Sequence, residues 1–194
     1  MTTHIGIDPG TSGAIAIIDF DQVSNTSRLV ALHDMPVIEY ITTTGKNRKR
    51  VNGAAVHEIL KLYLPIASIC LEAVGPMPRD GCIQAFSLGY ASASVETAAR
   101  IACLSTSTVR PQVWKVAFGL TSDKSKSRIL AQRLAPLHAD QFARVKDADR
   151  AEAYLIALYG AYQGSVSHLA APMTRAEAVA LVEALEARSV GGRP

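Results

Sequence analysis

"THIGIDPGTSGAIAIID", residues Thr3–Asp19, sets two short apolar runs on either side of a Pro-Gly-Thr-Ser-Gly turn. The runs, His4–Asp8 and Ala14–Asp19, are bounded by Pro and Gly and read as the two strands of a hairpin. The turn admits two readings. A Gly-rich loop between strands can cradle a nucleotide phosphate. Alternatively Asp8, which closes the first run, can hold a metal ion while the glycines only turn the chain. The two readings imply different proteins, and acids far away in sequence decide between them.

Working outward, Arg28–Met35 ("RLVALHDM") is a third apolar run able to continue the sheet antiparallel. The span from Ile41 to Gly53 is polar, basic and Gly-containing and reads as a loop. "NGAAVHEILKLYL" follows, with Val56, Ile59, Leu60 and Leu64 near helical spacing. "ASICLEA", Ala67–Ala73, is a buried-strand pattern stopped by Gly75 and Pro76. Ile83 to Ala102 favours helix, with small residues at Ser87, Gly89, Ala91, Ala93 and Ser94, which suit close approach of a second helix or tight packing on the chain's own sheet. "CLSTSTV" reads as a strand, after which Pro111 can start a short helix carrying Trp114. Asp123–Leu134 and Ala148–Tyr162 are further helices, and "TRAEAVALVEALEARS" is a last amphipathic segment. Three strands followed by alternating strands and helices predict an α/β fold. Its five-stranded mixed sheet is antiparallel at one side, parallel beyond, and flanked by helices. The domain reading is one unit over 1–164 and a helical C-terminal appendage over 165–194.

Composition fits a globular chain: 194 residues, 48% hydrophobic. No apolar run approaches the ~20 residues of a membrane span, and no basic-then-apolar leader precedes the first strand. The expected location is therefore cytoplasmic, the host cytoplasm if the chain is phage-encoded. The three cysteines, Cys70, Cys82 and Cys103, lack CxxC spacing and read as buried free thiols. The net charge of +3 matters less than its distribution. Lys46, Arg48, Lys49 and Arg50 crowd "GKNRKRVNG", and Lys124, Lys126 and Arg128 crowd "SDKSKSR". Such clusters attract a polyanion, or are simply a solvated loop and helix start.

The acids carry the chemistry. Asp8 and Glu72 each end an apolar strand just before a Pro/Gly turn. On parallel neighbours both carboxylates emerge at the carboxyl edge of the sheet, where open α/β sheets place ligands. In "VKDADRAEAYLIALYGAY", Asp149 and Glu152 are spaced i, i+3 and head the stripe that continues through Ile156 and Tyr159. Two acids on an apolar face need a cation or a partner to compensate them. Asp147 projects roughly 200° away from Asp149 and suits a helix N-cap. Four carboxylates, Asp8, Glu72, Asp149 and Glu152, make an oxygen-only site for Mg²⁺ or Mn²⁺. Two such ions ~3.5–4 Å apart can act together on a phosphodiester.

These residues make the chain resemble the RuvC family of Holliday junction resolvases, especially its phage-type members. The likeness spans about Ile5 to Tyr162 and rests on "IGIDPGTSGAIAIID", "ICLEAV" with "AFSLGYA", "VRPQVWKVAFGL", "DKSKSRILA" and "DRAEAYLIALYG", in that order. The resemblance implies an RNase H-like fold and a homodimeric, Mg²⁺-dependent endodeoxyribonuclease, with Mn²⁺ as a substitute and two ions per active site. Such an enzyme nicks a four-way DNA junction symmetrically, leaving 5′-phosphate and 3′-hydroxyl ends. Asp8, Glu72, Asp149 and Glu152 match its acids. Bacterial members usually carry aspartate at the position of Glu152, and phage-type relatives often set the first acid of the pair two residues earlier, which keeps Asp147 as an alternative to Asp149. Lys115 and Lys124 resemble the lysines that hold the scissile phosphate, the alternative being solvated surface lysines. Lys46, Arg48, Lys49, Arg50, Arg79 and Lys126 are the other expected DNA contacts. Met77 stands in the loop where relatives place a junction-probing residue, and the helix from Ile83 matches the one that pairs subunits.

Three other readings compete. A sugar-kinase or actin-like ATPase shares the "GIDPGTSG" loop, but closes nucleotide between two such units, and this chain has one. A non-catalytic junction-binding protein gains nothing from four acids that repel phosphates. An RNase H-like nuclease acting on other branched DNA or on RNA–DNA hybrids fits the same residues.

Overall fold

The computed structural model describes residues 1–76, 78, 80–103, 105–166, 179–180 and 182–183. Its centre is a five-stranded sheet in the order β3-β2-β1-β6-β7. Strands β1 (Thr2–Asp8), β2 (Ala14–Asp21) and β3 (Thr26–Asp34) form the antiparallel side, as expected. Strands β6 (Ser68–Glu72) and β7 (Thr106–Val109) add in parallel beyond β1. β1 and β2 read as continuous apolar runs because both faces of the sheet are covered. Ile5, Ile7, Ile15 and Ile17 face α1 (Gly53–Lys61) and α2 (Cys82–Ala102) through Val56, Leu60, Val95 and Ala99. Ala14, Ala16 and Ile18 face α3 (Pro111–Ala117), α4 (Lys124–Leu134) and α5 (Ala148–Val166) through Trp114, Leu130, Tyr154 and Leu158.

Local chemistry sets the helix starts. The Asn52 side chain accepts from the Ala55 amide at 3.2 Å, Pro111 opens α3, and Asp123 caps α4 by accepting from Ser125 at 2.9 Å. Helix α5 lies unusually close to the sheet, because at Gly6 of β1 there is no side chain to hold it off. A Cβ there would sit 2.7 Å from the Ala157 Cα and within van der Waals radius of the Ala153 carbonyl.

Three expectations need correction. The 41–53 span is not all loop: β4 (Val37–Ile41) and β5 (Asn47–Val51) pair as a separate antiparallel ribbon. β4 is only five residues long and β5 is polar except for Val51, so the ribbon carries no apolar alternation for a sequence reading to detect. Cys70 and Cys103 are buried, but Cys82, in the first turn of α2, is exposed. Gly89 and Ala93 do not pack on the sheet; both are exposed, and a Cβ at Gly89 would meet nothing within 4 Å. α5 runs to Val166, past the 164 boundary, and nearly all of the 165–194 appendage lies outside the described residues, as do Met77 and Arg79. Among the described residues no helix is long and apolar enough to cross a membrane.

Candidate metal centre

Asp8 is the last residue of β1, and Glu72 the last of β6. The parallel register pairs Ile7 with Leu71, so the two acids leave neighbouring strands side by side at the carboxyl edge. The turn after Asp8 is tight: Gly13 donates to the Gly10 carbonyl at 2.9 Å, and a Cβ at Gly13 would collide with the Asp8 carbonyl. The glycines thus shape a turn beneath an acid. From the other side α5 brings Asp149 and Glu152. Carboxylate oxygens of Asp8, Asp149 and Glu152 all lie within 4.8 Å of one another. Glu72 stands beside this triad, its Oε1 accepting from the Trp114 indole Nε1 at 2.9 Å.

The setting is dry. Asp8 is 9% exposed and Glu152 2%. Burial, reinforced by the charges of Glu72 and Asp149, pushes the Asp8 carboxyl up to about 7, against Lys124 and the Gly10 amide. Burial also holds Glu72 above its ordinary value, against the Trp114 hydrogen bond. Two ammonium groups offset the acids. Lys115 reaches Glu152 at 2.8 Å, and Lys124 bonds Asp149 and lies 3.6 Å from Glu152. Burial opposes the charge on Lys124, but the Asp149 bond and the nearby acids outweigh it and raise its pKa. Neither lysine is a freely solvated surface group.

Asp147 takes a different role. It ends a short 3₁₀ turn, Val145–Asp147, and is 1% exposed. Its carboxylate accepts the Arg144 amide at 2.9 Å and the Arg144 guanidinium at 2.9–3.2 Å. That bonding holds it below its ordinary pKa and makes it the start of α5 rather than part of the triad. Arg150 adds a second tie, with Nε and Nη2 donating to Asp34 at 2.6 and 2.8 Å, which fixes the start of α5 to the end of β3.

An all-oxygen, carboxylate-rich group suits a hard divalent cation. Oxygens of three residues within 4.8 Å of one another are close enough for one such ion to be shared among them. The ammonium groups already beside the acids show that positive charge is accommodated there.

Two contributors escape a reading by motif. Ser127 is fully buried and donates to Glu152 Oε1 at 3.3 Å. Its signal is a polar residue heading the buried stripe Ser127, Leu130, Ala131, Leu134 of α4. Trp114 has no comparable signal, since its partner comes from a strand end forty-two residues earlier. Trp114→Phe removes the donor to Glu72 and, because the ring is fully buried, part of the packing around it as well. Its expected effect is a loss of about 1–3 kcal/mol in denaturant unfolding; unchanged stability would mean that the bond contributes nothing.

No family model matches the sequence, and no curated protein matches it. Solved structures do. "Thermus thermophilus RuvC structure" superposes with a TM-score of 0.57 at 18% identity, over 86% of this chain and 97% of that one. "T. thermophilus RuvC in complex with Holliday junction substrate" gives a TM-score of 0.54 at 16% identity, over 87% and 96%. The chain therefore has the RNase H-like fold of RuvC structures, across nearly their whole length.

Proposed function

We propose that this protein is a divalent-metal-dependent endodeoxyribonuclease that resolves four-way DNA junctions by paired, symmetric nicks. The observation that carries the reading is the buried group of Asp8, Asp149 and Glu152 oxygens at the carboxyl edge of a RuvC-like sheet. Asp8, Asp149 and Glu152 hold Mg²⁺, or Mn²⁺ in its place, and Glu72 completes the set from the neighbouring strand. When bound, a pair of ions polarises both the attacking water and the leaving oxygen of a phosphodiester. The chain's own residues prepare for that. Trp114 fixes the Glu72 carboxylate, Ser127 fixes Glu152, and the Asp34–Arg150 pair anchors the helix that carries two of the acids. Lys115 and Lys124 pair with the acids, which supports a role for both in taking a phosphate oxygen.

Paired nicks need two active sites, and α2 offers a way to join two copies. Ile83, Phe86 and Ile101 are 61%, 76% and 68% exposed on one side of α2, next to the open Gly89 and Ala93. Burying such a stripe against its own copy removes apolar surface from water and brings two helices close at the small residues.

The test is cleavage of a four-way junction by the purified protein with Mg²⁺ or Mn²⁺, beside duplex, flap and RNA–DNA hybrid. The expected products are symmetric nicks on opposing strands of the junction. Preferential cutting of the hybrid or flap would move the chain to an RNase H-like nuclease of other substrates. No metal-dependent cutting of any of them would overturn the reading.

A further inference from the structure

The acids cannot supply the affinity for DNA. At full ionisation four carboxylates face two lysines at the centre, which leaves nothing to attract a phosphate backbone before a cation binds. Attraction has to come from outside it.

The β4–β5 ribbon is the outside element nearest in topology. It begins where β3 ends, and the register runs from Asp34 to Ala14 and from Ala14 to Asp8. The ribbon thus leaves the sheet edge that holds the acids, two strands or about 10 Å across from Asp8. Residues 37–51 contain four basic side chains and one acid, Glu39. The strand period divides the bases. Lys49 and Asn47 face Glu39, at 3.3 and 3.4 Å, so the charge of Lys49 is largely offset. Arg50 lies over the rings of Tyr40 and of Tyr90 in α2, at 5.3 and 5.5 Å, and latches the ribbon onto the body of the protein. Lys46 and Arg48 remain. Both are exposed, and among the described residues no acid pairs with them. The tip that presents Lys46 is pre-formed: the Thr42 amide donates to the Lys46 carbonyl at 2.9 Å, the Lys46 amide donates to Thr42 Oγ1 at 3.0 Å, and Gly45 takes a φ of +76°.

We propose that the β4–β5 ribbon is a DNA-holding arm, latched by Arg50 between Tyr40 and Tyr90, that grips the phosphate backbone with Lys46 and Arg48. The proposal rests on the nuclease reading and assigns the four basic residues different tasks: two bind phosphate, one is neutralised, and one anchors. The arm holds DNA and takes no part in bond breaking.

The test compares the native protein with the double variant Lys46→Gln, Arg48→Gln on one four-way junction over a series of salt concentrations, with thermal melts to confirm that both are folded. Removing two phosphate contacts lowers the slope of log affinity against log salt by about 2. Affinity falls roughly tenfold or more at low salt, and the protein concentration needed for half-maximal junction cleavage rises by the same factor. If the double variant keeps the native affinity and slope while the native protein binds and cuts, the ribbon proposal is overturned and the nuclease reading stands. If the native protein neither cuts nor shows salt-dependent binding, the nuclease reading fails and the ribbon falls with it.

Discussion

Asp8→Asn is expected to abolish the proposed metal-dependent cleavage, by about a thousandfold or more, equivalent to some 4 kcal/mol of transition-state stabilisation. Asp8 is the triad member contributed by the central strand, and an amide offers a cation no charge. The proposed junction binding is expected to survive, because the basic ribbon and the acids are separate features. The same substitution stabilises the metal-free protein. Asp8 holds its proton to about 7 in the folded state against an ordinary 3.8. Between those values the folded state binds more protons than the unfolded one, so the Asp8 contribution to stability falls as pH rises through this window. Above about 7 the native protein carries the full penalty, about 4 kcal/mol at most for a shift of this size. Asparagine does not titrate. The variant therefore melts close to the native protein near pH 4 and above it at pH 8, and adding Mg²⁺ narrows the gap by stabilising the native protein alone. Undiminished cutting, or a variant that melts lower than native at pH 8 without metal, would sink the assignment of Asp8.

What could be read from the residues follows from burial. β1, β2 and β6 are covered on both faces, so their apolar runs are plain and the acids closing them stand out; the mixed five-stranded sheet and the position of Asp8 and Glu72 at strand ends came from that contrast. The choice between Asp147 and Asp149 was not legible in the same way. Helical angle separates the two, but what occupies Asp147 is the guanidinium of Arg144, a contact made by the 3₁₀ turn rather than by any regular period. The β4–β5 ribbon escaped because its pairing depends on backbone hydrogen bonds and an exposed latch, neither of which leaves an apolar pattern. Lys115 and Lys124 were legible as cations near the site. Their engagement with Glu152 and Asp149 depends on how α3, α4 and α5 pack together, which no local segment encodes.

Gly6→Ala has the second large effect, and it acts on fold and site together. The added methyl would sit 2.7 Å from the Ala157 Cα and collide with the Ala153 carbonyl and the Ala157 amide nitrogen. All three are backbone atoms of α5, so no rotamer change relieves the clash; the helix itself has to move off β1. Ala153 and Ala157, whose backbone approaches Gly6, are fully buried, and their small size suits the close approach of α5 to the sheet. Gly160 makes a similar close approach to Cys70 on β6, which fixes the helix at a second point and resists a tilt. The expected cost is about 3 kcal/mol, the upper end of overpacking penalties, read as a lower denaturation midpoint. Protein that stays folded is also impaired. Asp149 and Glu152 ride on the displaced helix while Asp8 stays on the strand, so the oxygens that lie within 4.8 Å of one another are drawn apart. The proposed Mg²⁺-dependent cleavage is therefore expected to fall further than the loss of folded protein accounts for, with raised Mg²⁺ recovering part of it. A Gly6→Ala protein with native stability and native cleavage would show that the contact between β1 and α5 does not set the spacing of the acids.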